Sequence, residues 1–502
     1  PFITGTICAH RCQTKCTRNF YEDSVQIRAT KLVAAEKGYD EYMSKVKSPA
    51  PANNGKKAAV IGGGPTGMAA AYFLGRAGIP VTVFEKAESL GGIVRQVIPG
   101  FRISDEAIDK DAALVAKMGA EIRLNTPAPS VAELKAEGYT HIFFAVGAWK
   151  AGRLDIPGNV VPVIGWLKDL KAGKEVSLGH VAVIGGGNTA MDAARVALRS
   201  GAKSSTLVYR RTKKYMPADA EELELAIADG VNFLELVAPV EQKDGKLRCE
   251  KMKLGEPDEK GRRKPEPTGE FVEIDCDTVI SAVGEKVESE LFTANGVEVD
   301  AKGLPDFMTN VEGVYAGGDA MRGPATVVEG IADAQWFANA VIGEAYQFEI
   351  PAKAVASRAD AIAKKGVLCE SAKCEGGRCL TCNVVCQVCA DVCPNRANVV
   401  IELPDGRHEI LHVDRMCNEC GNCAIFCPYD SAPYRDKFTL FKTREGFDES
   451  VHNQGFLPLG GSRVLVRLDG KVFEADLNDK NDLPADIEVF ILTVLNKYTY
   501  LL

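Results

Sequence analysis

No apolar run in the 502 residues reaches the length of a membrane-spanning helix. No signal peptide is visible, which sets the expectation of a cytoplasmic protein. Basic residues are not in excess. The 60 Lys and Arg face 68 Asp and Glu, and the net charge of −8 argues against nucleic acid as the main partner. Histidine is scarce, and none of the six sits in a recognisable catalytic motif. An initiating methionine is also missing. The chain opens at Pro1 with "PFITGTICAHRCQTKC", already inside a cysteine motif, which suggests the C-terminal portion of a longer polypeptide or a processed or trimmed chain.

Cysteine, by contrast, is plentiful and unevenly placed. Of the 16, Cys8, Cys12 and Cys16 form one group, Cys249 and Cys276 stand alone, and the rest lie between Cys369 and Cys427. In a long chain without an export signal, such clustering reads as metal binding rather than a disulfide framework. The two isolated cysteines read as inert core residues.

Two stretches carry a phosphate-binding pattern. In "KKAAVIGGGPTGMAAAYFLGRAGIPVTVFEK" an apolar run, a glycine turn, an apolar helix and a second apolar run spell a βαβ unit. Gly62, Gly64 and Gly67 have the G-x-G-x-x-G spacing, which permits a tight turn and close approach of backbone to a pyrophosphate at a helix N-terminus. Glu85 closes the second strand, where an acid would hydrogen-bond a ribose diol. The pattern returns in "HVAVIGGGNTAMDAARVALRSGAKSSTLVYRR", with Gly185 and Gly187 and with Ala190 in the third place. Here the second strand ends in Arg210 and Arg211. Arginine at that position suits a 2′-phosphate, so this site is expected to take NADPH in preference to NADH.

"YAGGDA" complements the first unit. A strand would deliver Gly318 and Asp319 to the ribityl and pyrophosphate region of a flavin dinucleotide, and a helix starting near Thr326 would point its N-terminus at the flavin. The apolar strands at 141–148 and 277–284 bracket the second unit. The predicted architecture is therefore α/β, with two nested Rossmann-like domains, one for FAD and one for NAD(P).

Cys417, Cys420, Cys423 and Cys427 with Pro428 have the C-x2-C-x2-C-x3-C-P spacing of bacterial ferredoxins. There, three cysteines bind one [4Fe–4S] cube and the fourth serves another. Reading back from Cys393 and Pro394 gives the twin set Cys389, Cys386 and Cys382, one residue off the ideal spacing. One cube is assigned to Cys382, Cys386, Cys389 and Cys427, the other to Cys393, Cys417, Cys420 and Cys423. Zinc ribbons close a site with two C-x2-C knuckles and need no further cysteine, so they fit this run less well. A register using Cys379 with Cys382 and Cys386 stays open, as do the roles of Cys369, Cys374 and Cys379.

The segments "GGGPTGMAAAYFLGRAGIPVTVFEK", "LGGIVRQVIPGFRI", "GGGNTAMDAA", "VYRRTKKYMPA" and "AGGD" follow one another in the order of the glutamate synthase small-subunit family. That family includes the N-terminal part of dihydropyrimidine dehydrogenase. The resemblance covers roughly residues 1–345. It implies that Gly62, Gly64, Gly67, Glu85, Gly92, Gly318 and Asp319 hold FAD, and that Gly187, Asn188, Thr189, Arg210 and Arg211 hold the nicotinamide cofactor. It also implies a further cluster at the N-terminal side on Cys8, Cys12 and Cys16. The chain carries Lys31 where the family places Glu or Gln, so the fourth ligand stays open. The cysteine-rich block placed after the flavoprotein also looks like the large iron–sulfur flavoprotein subunit of the selenate reductase type from anaerobic bacteria, which is longer than this chain.

These readings divide the chain into a Cys-rich helical segment (1–50), an FAD-binding part (51–160), an NAD(P)H-binding domain (161–284), a second FAD-binding part (285–350), a bacterial ferredoxin-like domain with two [4Fe–4S] clusters (351–435) and a small α+β region (436–502). The expected function is oxidation of NADPH via FAD, with single electrons passed through the clusters to a partner reductase subunit or upstream domain, such as a molybdenum enzyme or ferredoxin. A ferredoxin-dependent or bifurcating NAD(P)+ reductase and a non-catalytic redox sensor are the alternatives. Hydride transfer needs no acid–base residue, so no catalytic side chain is assigned.

Overall fold

The computed structural model describes all residues except 21–22, 48, 50–54, 177, 258–262, 344–374 and 380–385. The chain divides into two units. One comprises Pro1–Ala9 with Lys31–Phe348, the other His10–Thr30 with Glu349–Leu502.

The first unit holds two parallel sheets. In the flavin lobe, β1 (Ala58–Ile61), β2 (Val81–Phe84), β3 (Glu121–Arg123), β4 (His141–Phe144) and β15 (Val314–Ala316) lie in the order β15-β4-β1-β2-β3. Every residue of β1 and β2 is buried, as expected of strands covered on both faces. Helices Pro65–Arg76 and Val327–Ile342 cover one face. Phe337 of the latter stacks on Phe143 of β4 with ring centroids 4.5 Å apart. In the nicotinamide lobe, β6 (Val160–Pro162), β7 (His180–Ile184), β8 (Ser204–Tyr209), β9 (Asn232–Glu235) and β13 (Thr278–Ser281) lie in the order β6-β13-β7-β8-β9. A three-stranded antiparallel arm, β10 (Val237–Lys243), β11 (Lys246–Pro257) and β12 (Arg263–Asp275), follows β9. The chain leaves the flavin lobe through β5 (Lys150–Ala151) and returns through β14 (Glu285–Lys286). These two crossings pair with each other as an antiparallel ladder.

In the second unit one six-stranded sheet runs in chain order: β16 (Asn398–Glu402), β17 (His408–Val413), β18 (Thr439–Leu440), β19 (Gly455–Gly460), β20 (Arg463–Leu468) and β21 (Lys471–Asp476). Helix Ala485–Lys497 packs Phe490, Ile491 and Val494 into the core formed by Ile401, Leu411, Phe456, Val464 and Val466. The sheet therefore runs through residue 435, where the sequence pattern suggested a boundary, because β17 pairs with β18 in register His412↔Thr439. The N-terminal segment is likewise shared between the units. Residues 10–30 are tied to the second unit by the fully buried Arg18, whose Nε donates to the Arg378 carbonyl at 2.5 Å. Arg378 in turn forms a buried ion pair with Glu375 at 2.9 Å, and Glu375 also accepts from the Gln26 amide at 3.0 Å. Buried charges persist when paired in this way.

Candidate functional site

The two glycine turns are built alike. Gly62 directly follows β1 at φ +104, and a Cβ there would lie 2.5 Å from the Ala145 carbonyl oxygen just past β4. Gly185 follows β7, and its Cβ would lie 2.3 Å from the Ala282 carbonyl oxygen just past β13. In both lobes glycine lets two parallel strands end side by side, at the crevice where nucleotides bind in open α/β sheets. Gly67 packs even closer, with its Cβ position 1.9 Å from the Gly62 carbonyl oxygen. Above the turns there is room. A Cβ on Gly64 would meet only the Gly92 Cα at 3.9 Å, and one on Gly187 would meet nothing within 4 Å. Helices Pro65–Arg76 and Asn188–Arg199 begin beside these openings, so both offer unpaired amides to a phosphate. The residues fit the pyrophosphates of FAD and of a nicotinamide dinucleotide.

Glu85 is buried, and its two carboxylate oxygens accept the amides of Gly63 at 2.6 Å and Ala87 at 2.8 Å. It closes the first turn as well as standing where an acid would meet a ribose. Gly318 lies at φ +62 after β15, and its amide donates to the fully buried Asp333 at 2.8 Å. Asp319 accepts from the Ala325 amide at 3.1 Å. Burial, followed by the nearby Glu285, Glu329 and Asp333, pushes its carboxyl up to about 6. Thr326 caps helix Val327–Ile342 in a reciprocal box with Glu329. That helix N-terminus is held close to the first turn, since Cβ positions on Gly318 and Gly330 would fall 2.4 and 2.2 Å from Thr66 Oγ1.

In the nicotinamide lobe Asn188 exchanges hydrogen bonds with Asp219 at 3.0 and 3.2 Å, which fixes the entrance to its helix. Thr189 hydrogen-bonds Glu285, whose pKa is raised by burial. Arg210 is exposed at the end of β8. Arg211 is half-buried, and its Nε donates to the Arg263 carbonyl at 3.3 Å.

In the second unit Cys393, Cys417, Cys420 and Cys423 line one pocket, together with Asn398 and Tyr434. These four come from both cysteine runs and are the set assigned to one cube. Backbone amides already point at two of the sulfurs, Ala397 to Cys393 Sγ at 3.2 Å and Glu419 to Cys417 Sγ at 3.3 Å. Such donors raise a bound cluster's potential. Cys389 is buried beside Cys386, Cys423 and Cys427, and burial above all pushes its thiol up to about 12. Among the described residues no group of three or more His, Cys, Asp or Glu is drawn together in metal-ligating geometry. Cys369, Cys374 and Cys382 lie outside the described residues. Cys8 ends the short helix Phe2–Ile7, whose first amides donate to Asp111 at 3.0 and 2.8 Å. Cys12 is exposed and Cys16 half-buried. Cys249 and Cys276 are buried, with thiols pushed up by burial to about 12 and 11, as inert core residues would be.

Sequence reasoning missed Thr66, Glu285, Gly330 and Asp333. The one local signal was a small residue and an acid inside the apolar helix after "AGGD".

Residues 56–334 match the family described as pyridine nucleotide-disulphide oxidoreductase. The chain belongs to this family. It is 41% identical over 516 residues to YgfK of Escherichia coli (strain K12), across 97% of this chain and 50% of that protein. The chain thus spans about half the length of that relative. It is 32% identical to the glutamate synthase [NADPH] small chain of the same organism, across 68% of this chain and 80% of that one, which agrees with the resemblance read from the motifs. Mycobacterium tuberculosis FprA, solved in complex with NADPH, shares the fold, with a TM-score of 0.50 and 21% identity over 57% of this chain and 84% of that one. Among the described residues no helix is long and apolar enough to cross a membrane.

Proposed function

We propose that the chain is an electron-transfer flavoprotein that oxidises NADPH through FAD and hands single electrons to [4Fe–4S] clusters, and through them to a partner reductase subunit or domain. The observation that carries this reading is the pairing of two open glycine turns in one unit with a four-cysteine pocket in the other. Bound FAD would supply the conversion of a two-electron hydride donor into a one-electron source. The protein's own groups bind and orient. Gly62, Gly64 and Gly67, with Gly92 opposite Gly64, receive the flavin pyrophosphate, and Glu85 and Asp319 face its sugar portions. Gly185, Gly187 and Thr189 receive the second dinucleotide, with Arg210 and Arg211 toward its 2′-phosphate. The relative named as an NADPH-linked small chain supports NADPH as the donor and a partner subunit as the acceptor.

The clusters are placed on Cys393, Cys417, Cys420 and Cys423, and on Cys386, Cys389 and Cys427 with Cys382. The test is anaerobic mixing of the purified protein with NADPH and, separately, NADH, with a viologen dye as acceptor. Bleaching of flavin absorbance and dye reduction with NADPH support the proposal. Activity with NADH alone would overturn the role given to the two arginines.

A further inference from the structure

The motif "LGGIVRQVIPGFRI" contributes Gly92 to the flavin turn, but its second half does something else. The turn between helices Gly92–Gln96 and Asp105–Lys117 belongs to the flavin lobe, yet its side chains are spent on the nicotinamide lobe. Val97 is buried in that lobe's core beside Trp166, Leu167 and Met191. The Ile98 carbonyl accepts from Lys171 Nζ at 2.7 Å. The Phe101 ring lies under the guanidinium groups of Arg195 and Arg199 at 4.8 and 4.3 Å. Arg102 enters deepest. One guanidinium nitrogen donates to both Asp192 oxygens at 2.9 Å, and the other pairs with Glu222 at 2.5 Å. Both acids are nearly fully buried. Asp192 stands on the helix that begins at the second glycine turn, and Glu222 on the neighbouring helix Ala220–Ala228.

The two lobes are joined covalently only by the crossings β5 and β14, a ladder of two residue pairs closed by Gly152 donating to the Gly284 carbonyl at 2.7 Å. So thin a ladder restrains rotation little by itself, which leaves the lobes' orientation to the side-chain contacts across them. A forked guanidinium gripping two buried carboxylates is directional, and a small rotation of the lobes breaks it. We infer that Arg102 is a positioning residue: by locking onto Asp192 and Glu222 it fixes the nicotinamide lobe in the one orientation on the flavin lobe that brings hydride donor and acceptor together. This inference rests on the proposed NADPH-to-FAD reaction.

Removing Arg102 alone would strand the buried Asp192, leave Glu222 only its looser pair with Arg195 at 3.6 Å, and threaten the fold. The informative variant therefore neutralises the whole set, Arg102→Met with Asp192→Asn and Glu222→Gln, and none of the three touches a cofactor turn. It is expected to melt with the wild type and bind NADPH with unchanged affinity. Its flavin should be reduced about tenfold to a hundredfold more slowly at saturating NADPH, the scale of a misplaced reacting pair. Amide exchange at 150–152 and 284–286 should be faster than in the wild type. If both exchange and the rate of flavin reduction stay at wild-type values, Arg102 has no positioning role. If the wild type itself fails to react with NADPH, the functional proposal falls. The exchange measurement still decides whether the grip holds the lobes: faster exchange in the variant keeps the lock, and unchanged exchange removes it.

Discussion

The Gly318 amide donates to the Asp333 carboxylate at 2.8 Å, although the two residues belong to different elements of the flavin lobe. Asp333 is fully buried and also pairs with Arg322. It therefore holds the "AGGD" turn onto helix Val327–Ile342. Replacing it with Ala leaves a buried amide and a guanidinium without their acceptor. The Asp333→Ala protein is expected to be about 3 kcal/mol less stable and to be purified with less flavin per chain. Denaturant unfolding and the flavin-to-protein absorbance ratio check both.

Arg210 and Arg211 make a separable prediction. If they meet a 2′-phosphate, Arg210→Ser with Arg211→Ser removes charge-assisted hydrogen bonds worth about 2 kcal/mol, or roughly thirtyfold in the KM for NADPH. The KM for NADH should barely move. Steady-state dye reduction with each nucleotide measures the ratio.

Cys420 is exposed, and its substitution should disturb folding little. Cys420→Ser is expected to lower the iron bound by the C-terminal pair of clusters from about eight atoms toward about four per chain, while flavin content stays unchanged. Iron and flavin assays on the same preparation distinguish cluster loss from general unfolding.

His412 supplies a pH dependence. It is buried, its Nδ1 lies 2.9 Å from Asn398 Oδ1, and burial lowers its pKa from 6.5 to about 4. A depressed histidine takes up its proton in the unfolded chain first. Stability is therefore full above pH 6.5 and falls as pH drops toward 4, by about 3 kcal/mol in all. Melting curves of the second unit's transition at pH 7 and pH 5 should show the drop, and His412→Asn should flatten it.

The two βαβ units were legible because their signals are local. A buried apolar strand, a glycine turn and a helix fall within about 30 residues, and Gly62 and Gly185 announce the close strand approaches they permit. Of the assigned cysteine sets, Cys393, Cys417, Cys420 and Cys423 line one pocket, while among the described residues no three ligands are drawn into metal-binding geometry. What was not legible depends on residues far apart in the chain. Nothing near Arg102 shows that it will meet Asp192 and Glu222, and Asp333 resembles any polar residue on a helix until Gly318 is folded against it. The sheet crossing residue 435 was hidden because β18 is only two residues long, too short to show a strand period.

The central claim is that electrons pass from NADPH through flavin to iron–sulfur clusters in this one chain. The most direct measurement is an anaerobic NADPH titration followed by flavin absorbance and low-temperature EPR on the same samples. The account predicts flavin bleaching together with the signals of reduced [4Fe–4S] centres, with a spin count that rises with added NADPH. Bleached flavin with no cluster signal, in protein that assays for its full iron, would contradict it.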